Sequence, residues 1–212
     1  MAKPSDMKAA KEKMSRGRPA MSAAKRDEMR RRIADAAHRL FKADGYSKVS
    51  MRRIAAEVGC TPMALYNYYD SKIDILRTLW DSVFDTLFAE IAAFGSDTDK
   101  TAYLTRISSA YVNYWLRNED HYRLVFMAEG VTQPDVSIFL DGRKSLERFA
   151  IFAEALIDAN DAPMDSDQLK RKLDLLICLL HGIAHNQLTI SGYPWTAADM
   201  LIEDGVKAII GG

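Results

Sequence analysis

Residues 50–72 constrain the fold most, because they combine two short helical patterns with a glycine turn between them. The first pattern has apolar residues at helical spacing, which predicts one buried face: Met51, Ile54, Ala55 and Val58. Gly59 supplies the turn, and Thr61 followed by Pro62 is typical of the start of a second helix, in which Leu65 is expected to face inward. Such a pair is the layout of a helix-turn-helix, a motif that reads the major groove of DNA; an ordinary helical hairpin is the alternative.

Residues 25–80 resemble the N-terminal DNA-binding domain of the TetR family of bacterial repressors. The matched residues are Ile33-Ala-Asp-Ala-Ala37, Leu40-Phe41, Gly45-Tyr46, Ser50-Met51-Arg52, Ile54-Ala55, Val58-Gly59, Leu65-Tyr66, Tyr68-Tyr69 and Ser71-Lys72. The family often has phenylalanine where this chain has Tyr69, so the ring is kept and a hydroxyl is added. The resemblance implies an all-α protein with a three-helix helix-turn-helix domain over 25–72 and a helical ligand-binding and dimerisation domain over 73–212.

The charge of the chain is unevenly distributed. The formal net charge is zero, but residues 1–53 contain 16 basic and 6 acidic residues, a balance of +10, and residues 54–212 carry −10. A basic end joined to an acidic body is expected where one end faces the phosphates of double-stranded DNA. The alternative is that these lysines and arginines simply keep helix surfaces hydrated.

Residues 1–24 are rich in lysine, arginine, alanine and serine and have no helix-length apolar stripe. We therefore expect a flexible basic N-terminal arm. Within it, Arg16-Gly17-Arg18-Pro19 resembles the core of an AT-hook, in which two arginines lie in a narrow, A·T-rich minor groove. Arg16 and Arg18 are accordingly predicted to contact the minor groove, with a generic basic tail as the alternative.

The side chains expected at the DNA surface differ in chemistry. Arg52 can donate two hydrogen bonds to the O6 and N7 atoms of guanine, so it is the preferred base reader. Thr61, Met63 and Ala64 lie near the start of the second helix, where Met63 and Ala64 suit the methyl group of thymine. The resemblance implies that four further residues bind phosphate: Ser50, Tyr66, Asn67 and Lys72. Tyr68 is also predicted to contact DNA, because it offers a hydroxyl donor on a rigid side chain.

Beyond residue 71 the pattern is helical, with further helices predicted over about 99–117, 119–129, 135–159, 166–190 and 196–210. Several of these segments carry tyrosine and tryptophan, whose polar atoms need partners when buried. In a TetR-like protein such helices enclose a cavity for a small, largely apolar effector; ordinary core packing is the alternative. The candidate ligand-binding residues are Trp80, Phe84, Tyr103, Tyr111, Tyr114, Trp115, Tyr122, Phe126 and His181.

Residues 173–188 are apolar around most of a helical circumference, which predicts burial on several sides. The resemblance places the last two long helices in a four-helix bundle with a second subunit. It thereby implies a homodimer that binds a pseudo-palindromic operator. The candidate interface residues are Leu176, Leu180, Gly182, Ala184, His185, Leu188, Met200, Val206 and Ile210.

Other classes of protein receive weaker support. His181 and His185 are four residues apart on one helix, a spacing that can hold a metal, but no third ligand is obvious. We therefore expect no metal, no cofactor and no catalytic residue; the alternatives are a ligand-independent architectural DNA-binding protein and, less favoured, a metal-dependent enzyme using this pair. Two cysteines and the lack of a long apolar run or secretory signal favour a cytoplasmic protein without a membrane partner.

Overall fold

The computed structural model describes residues 22–95, 97–132, 135, 142–160 and 162–211. Arg16 and Arg18, with the rest of the predicted arm up to residue 21, lie outside the described residues. The regular secondary structure of the described residues is helical, which confirms the predicted all-α class. None of the helices in this part of the chain is long and apolar enough to cross a membrane.

The N-terminal domain begins with helix α1, Ala23–Asp44, which starts two residues earlier than the predicted domain boundary. The Ser22 hydroxyl caps it by accepting a hydrogen bond from the Lys25 amide at 3.4 Å. A short 3₁₀ turn, Tyr46–Lys48, follows. Gly45 links the two with φ 84° and ψ 148°, a conformation that favours glycine because it has no Cβ atom.

Helices α2, Met51–Glu57, and α3, Pro62–Tyr66, form the predicted helix-turn-helix. Gly59 has φ 73°, so the chain reverses there without steric cost. The Thr61 hydroxyl accepts from the Ala64 amide at 3.1 Å, and Pro62 occupies the first turn of α3. Leu65 is completely buried, which confirms its predicted inward direction.

Most of the remaining helices in the described part of the chain lie close to the predicted spans, but within the helix predicted over about 135–159 the described helix begins at Arg143. These helices are α4, Lys72–Ala92; α5, Lys100–Arg117; α6, Glu119–Phe126; α7, Arg143–Ala159; α8, Ser166–Thr189; and α9, Ala198–Gly211. Helix α4 packs on α1 and α5, so it connects the N-terminal domain to the body. Helix α5 lies at the centre of the body, in contact with α4, α6, α7, α8 and α9.

The packing of α8 and α9 places four of the predicted dimer contacts inside the protomer. Leu176, Leu180, Ala184 and Val206 are each 0% exposed within a single protomer. Because α8 and α9 both pack on α5, these side chains fill the protomer's own core. A partner subunit could reach them only if that core opened, so they are not surface contacts.

Candidate functional site

The outer face of α3 presents most of the predicted DNA contacts. Met63 is 78% exposed and Tyr66 is 48% exposed, although both are large and partly apolar. Thr61 and Asn67 are also exposed, whereas Ala64 is half-buried. Since the completely buried Leu65 faces the core, the opposite side of this short helix is open for an incoming groove. Tyr68 is half-buried and lies at the edge of this surface.

The two adjacent arginines of α2 differ in their partners. Arg53 forms an ion pair with Asp44, with the guanidinium nitrogen 2.7 Å from the carboxylate. Arg52 is exposed, and among the described residues its guanidinium makes no hydrogen bond or ion pair. Arg52 therefore has both donor edges available for a base, as base reading requires. Arg53 instead fixes the start of α2 to the end of α1.

Ser50 and Lys72, both predicted phosphate contacts, also have roles inside the domain. The Ser50 hydroxyl caps α2 by accepting from the Arg53 amide at 3.3 Å. The Lys72 ammonium donates to the carbonyls of Tyr46 at 2.7 Å and Val49 at 2.9 Å, and lies 4.0 Å from the centre of the Tyr46 ring. Burial lowers the pKa of Lys72. Two of its three hydrogens are thus used to fasten the turn that precedes α2, which leaves one for a phosphate.

Several basic side chains of the N-terminal domain are bound within the protein. Lys42 pairs with Asp120 of α6, and Arg39 lies 3.5 Å from Glu57. Arg26 and Arg30 of α1 donate to backbone carbonyls just beyond α3. The +10 balance of residues 1–53 therefore overstates the charge that is free to face phosphate.

Most of the aromatic residues predicted to line a ligand cavity form a packed cluster in this conformation. Six of them are between 0% and 2% exposed: Trp80, Phe84, Tyr111, Tyr114, Trp115 and Tyr122. The Trp115 ring lies at the centre, with ring centroids 5.8 Å from Phe84, 5.2 Å from Tyr114 and 5.8 Å from Tyr122. A side chain beside a ligand-sized cavity would keep accessible surface, so these rings fill the space themselves.

Of the other three candidate ligand residues, Phe126 and His181 lie at the margin of this cluster, and Tyr103 lies eight residues before Tyr111 on α5. Phe126 is 38% exposed and its ring contacts His181, with 4.5 Å between the centroids. His181 and Tyr103 are both half-buried. The centre of the Tyr103 ring lies 6.0 Å from the Arg106 guanidinium carbon. The Phe126 and His181 pair is thus the part of the predicted wall that reaches solvent.

Polar atoms inside the cluster are only partly satisfied. The Trp80 indole donates to the Leu124 carbonyl at 2.9 Å. Among the described residues, the Trp115 indole has no acceptor with good hydrogen-bond geometry. Burial raises the pKa of the nearby Tyr111 hydroxyl, and the Trp115 indole partly opposes this increase. The Ser108 hydroxyl, seven residues earlier on α5, is buried and likewise has no partner in that part of the chain. The two groups share one face of α5.

His181 and His185 are joined by a tyrosine. The Tyr122 hydroxyl lies 3.2 Å from Nε2 of His181 and 2.9 Å from Nδ1 of His185. Burial raises the pKa of Tyr122 to about 12, and burial followed by the neighbouring His185 lowers the pKa of His181. A hydroxyl that is hydrogen-bonded to both imidazoles accounts for the spacing of the two histidines. The described residues include no group of three histidine, cysteine or acidic side chains placed to hold a metal.

The outward side of α8 and α9 carries an apolar groove of about 310 Å³. One of the predicted interface residues, Gly182, lines this groove. His185 and Met200 are exposed on the same two helices, and Leu188 and Ile210 are half-buried. Most of the lining residues were not predicted from the sequence: Cys178, Leu179, Ile183, Asn186, Gln187, Trp195 and Leu201. The spacing of Cys178, Gly182 and Asn186 was a usable signal, since it marks a second stripe on the same helix.

Comparison with known proteins identifies similarity in both sequence and fold. Residues 33–79 match the family model described as bacterial regulatory proteins, tetR family. The HTH-type transcriptional activator FasR of Mycolicibacterium smegmatis is 28% identical over 113 residues, which are 53% of this chain and 52% of FasR. The nucleoid occlusion factor SlmA of Pasteurella multocida is 30% identical over 89 residues, which are 42% of this chain and 45% of SlmA. The match spans about half the length of these relatives.

The fold extends the similarity over most of the chain. A TetR-like transcriptional regulator from Rhodococcus sp. RHA1 superimposes with a TM-score of 0.61 at 18% identity, covering 91% of this chain and 100% of that one. The sequence match confirms the predicted resemblance, and the structural match confirms the two-part helical architecture. The similar proteins are named as regulators and not as enzymes, which supports the predicted class of regulatory protein.

Proposed function

We propose that this chain is a homodimeric repressor of the TetR type, which binds a pseudo-palindromic operator and leaves it when a small, largely apolar effector binds the body. The observation that carries the DNA-binding part is the open face of α3, on which Met63 is 78% exposed opposite the buried Leu65. Such exposure of a large apolar side chain beside polar residues is typical of an interaction surface.

Base reading is assigned to Arg52 and to the first turn of α3. Arg52 would contact a guanine, while Met63 and Ala64 would contact thymine methyl groups and Thr61 would lie beside them. Phosphate contacts are assigned to the exposed Tyr66 and Asn67, to the Ser50 hydroxyl and Tyr68, and to the remaining hydrogen of Lys72. Their positions on one domain support this division of roles.

Replacing Arg52 with alanine is expected to weaken operator binding by about 1–3 kcal/mol and to relax preference at one base pair. The reason is that its two donor edges have no competing partner among the described residues. Binding to the operator and to single-base variants of it can be compared by fluorescence anisotropy. Arg53→Ala is the matched control, because it removes the same charge from a side chain held by Asp44; an equal loss of base preference in both variants would contradict the assignment.

The dimer interface is assigned to the outward groove of α8 and α9. Its apolar lining would be covered by the same face of a second subunit, as two-fold symmetry requires. Gly182 supports close approach, since a Cβ atom added there would meet no atom within 4 Å in the protomer. Two subunits would present two copies of α3 to successive major grooves, which is why we expect a two-fold symmetric operator.

The effector site is assigned to the interior of the body around α5. The buried Ser108 hydroxyl and Trp115 indole, both without partners among the described residues, support a ligand with one or two polar atoms on an apolar frame. The aromatic cluster would have to open for such a ligand, with Phe126 and His181 at its solvent-facing margin. A ligand that prefers the opened conformation lowers the affinity of the protein for the operator. By linkage, bound operator lowers the affinity of the protein for that ligand by the same factor.

Selection of bound duplexes from a random pool tests the proposal. The full chain should recover a two-fold symmetric motif, and failure to recover any motif would contradict a sequence-specific regulator. A chain lacking residues 1–21 keeps Ser22, the cap of α1, and tests the arm separately. Loss of A·T preference beside the motif would support Arg16 and Arg18 as minor-groove contacts.

A ligand-independent architectural DNA-binding protein is the second candidate. It is favoured by the closed packing of the aromatic cluster and by the similarity to SlmA, which is named a nucleoid occlusion factor. The two candidates differ in their response to small apolar molecules. Release of operator by at least one such molecule, with a raised melting temperature, supports the repressor, whereas binding that no member of a broad panel changes supports the architectural protein.

A further inference from the structure

Recognition helix α3 is too short to hold its own direction. It has five residues, Pro62–Tyr66, whereas isolated helices shorter than about 12 residues are marginal in water. Thr61 caps its start, and Leu65 anchors its middle to the core. Its far end continues into Asn67–Asp70, which contains no further α-helical turn. The angle at which α3 meets DNA therefore depends on what holds this exit.

Three side chains hold the exit of α3 to helix α1. Arg26 donates to the carbonyl of Asn67 at 3.1 Å, and Arg30 donates to the carbonyl of Tyr68. The Tyr69 hydroxyl donates back to the Arg30 carbonyl at 3.2 Å, and the Arg30 guanidinium lies 4.2 Å from the centre of the Tyr69 ring. Arg26 and Arg30 are one turn apart on α1, so they reach the exit from the same face.

These contacts suit the end of a helix. Asn67 is the C-cap residue of α3 and Tyr68 follows it, so their carbonyls lie at the negative end of the helix dipole, where a guanidinium is favourable. Hydrogen bonds from a charged donor are also shorter and stronger than neutral ones. Tyr69 is 3% exposed, so its hydroxyl bond is protected from water. The hydroxyl is the feature by which this chain departs from the phenylalanine common in the family.

We propose that Arg26, Arg30 and Tyr69 form an exit clamp that sets the direction of α3, and that the two arginines act as positioning residues for base reading. This proposal rests on the proposed function for its DNA consequence. In a bound operator, Met63 and Ala64 would meet their bases only at the angle that the clamp maintains. The two arginines would then contribute to sequence preference without touching a base or serving as phosphate contacts.

Amide exchange in the free protein tests the clamp without DNA. Arg30→Met keeps most of the aliphatic stem and removes the guanidinium, whereas Arg32→Met removes an exposed arginine from the same helix whose guanidinium has no bonded partner among the described residues. In Arg30→Met the amides of residues 64–70 should exchange about tenfold faster, as expected from the loss of a charged hydrogen bond. Tyr69→Phe should give a smaller change in the same residues, and Arg30→Lys should recover part of it. Equal exchange in Arg30→Met and Arg32→Met would overturn the clamp.

Binding to operator and to unrelated DNA tests the consequence. The ratio of the two affinities should fall about tenfold in Arg30→Met, while the slope of log affinity against log salt stays that of the unmodified chain. A phosphate contact would instead weaken both DNAs equally and reduce that slope by about one, which would overturn the positioning role. If the unmodified chain itself shows no preference for any sequence, the proposed function fails, and the exchange rates still decide whether the clamp exists.

Discussion

Replacing Gly182 with arginine is expected to convert the proposed dimer into monomers and to remove high-affinity operator binding. Gly182 lines the outward groove of α8 and α9, so in the proposed interface its substituent would enter twice, once from each subunit. Two unpaired guanidinium groups in an apolar interface are costly to desolvate and repel each other. A monomer can bind only one half-site of the operator. It therefore loses the added affinity that comes from linking two binding events.

The protomer itself should tolerate this change. A Cβ atom at Gly182 meets no atom within 4 Å, and arginine has a higher helix propensity than glycine. Sedimentation should therefore show a folded species of 23.8 kDa in place of twice that mass. Thr86→Arg is the control, because it adds the same charge to an exposed position of α4 and should leave the dimer intact. An unchanged dimer in Gly182→Arg would mean that the interface lies elsewhere.

Trp115→Ala is expected to lower the free energy of unfolding by about 3–5 kcal/mol, the range found for large aromatic residues in cores. Trp115 is 0% exposed and contacts rings from α4, α5 and α6, including Phe84, Tyr111 and Tyr122. Its loss would leave a cavity at the point where these helices meet. Denaturant titration followed by circular dichroism measures the effect. Cooperative loss of the whole body is expected, since α5 contacts every other described helix of that region.

Two phenylalanine substitutions separate packing from hydrogen bonding. Trp115→Phe removes a buried indole donor that has no acceptor with good geometry within the described part of the chain, so relief of that unsatisfied group should offset part of the lost packing. Trp80→Phe removes a donor that serves the Leu124 carbonyl and leaves that carbonyl unpaired. We expect Trp80→Phe to cost about 1–3 kcal/mol more than Trp115→Phe. The reverse order would show that the Trp115 indole has a partner that matters.

The helix-turn-helix could be predicted in detail because its signals are local. Thr61 and Pro62 start α3, Gly59 turns the chain, and Leu65 faces inward, each within a few residues of the feature it controls. Capping and left-handed turns involve neighbouring backbone atoms, so they can be recognised without knowledge of the rest of the fold. Most helix boundaries of the body could be anticipated for the same reason.

The direction of side chains on α8 could not be predicted in this way. Helix α8 is apolar on most sides, so helical spacing defines two possible apolar stripes. The first contains Leu176, Leu180 and Ala184, and the second contains Cys178 and Gly182. The first set was assigned to the partner subunit, but packing of α8 on α5 buries it inside the protomer. The aromatic residues show the same ambiguity, because a ring suits a core and a ligand cavity equally well.

The sequence by itself determined the all-helical class, the helix-turn-helix motif and the excess of basic residues over 1–53, since these depend on periodicity, capping residues and charge. Tertiary structure alone decided which charges are free and which are bound. Lys72 fastens carbonyls 23 and 26 residues earlier in the chain, and Arg30 binds one 38 residues later. Such partners meet only when the helices pack, because hydrogen bonds and ion pairs depend on distances of about 3–4 Å that no sequence spacing specifies.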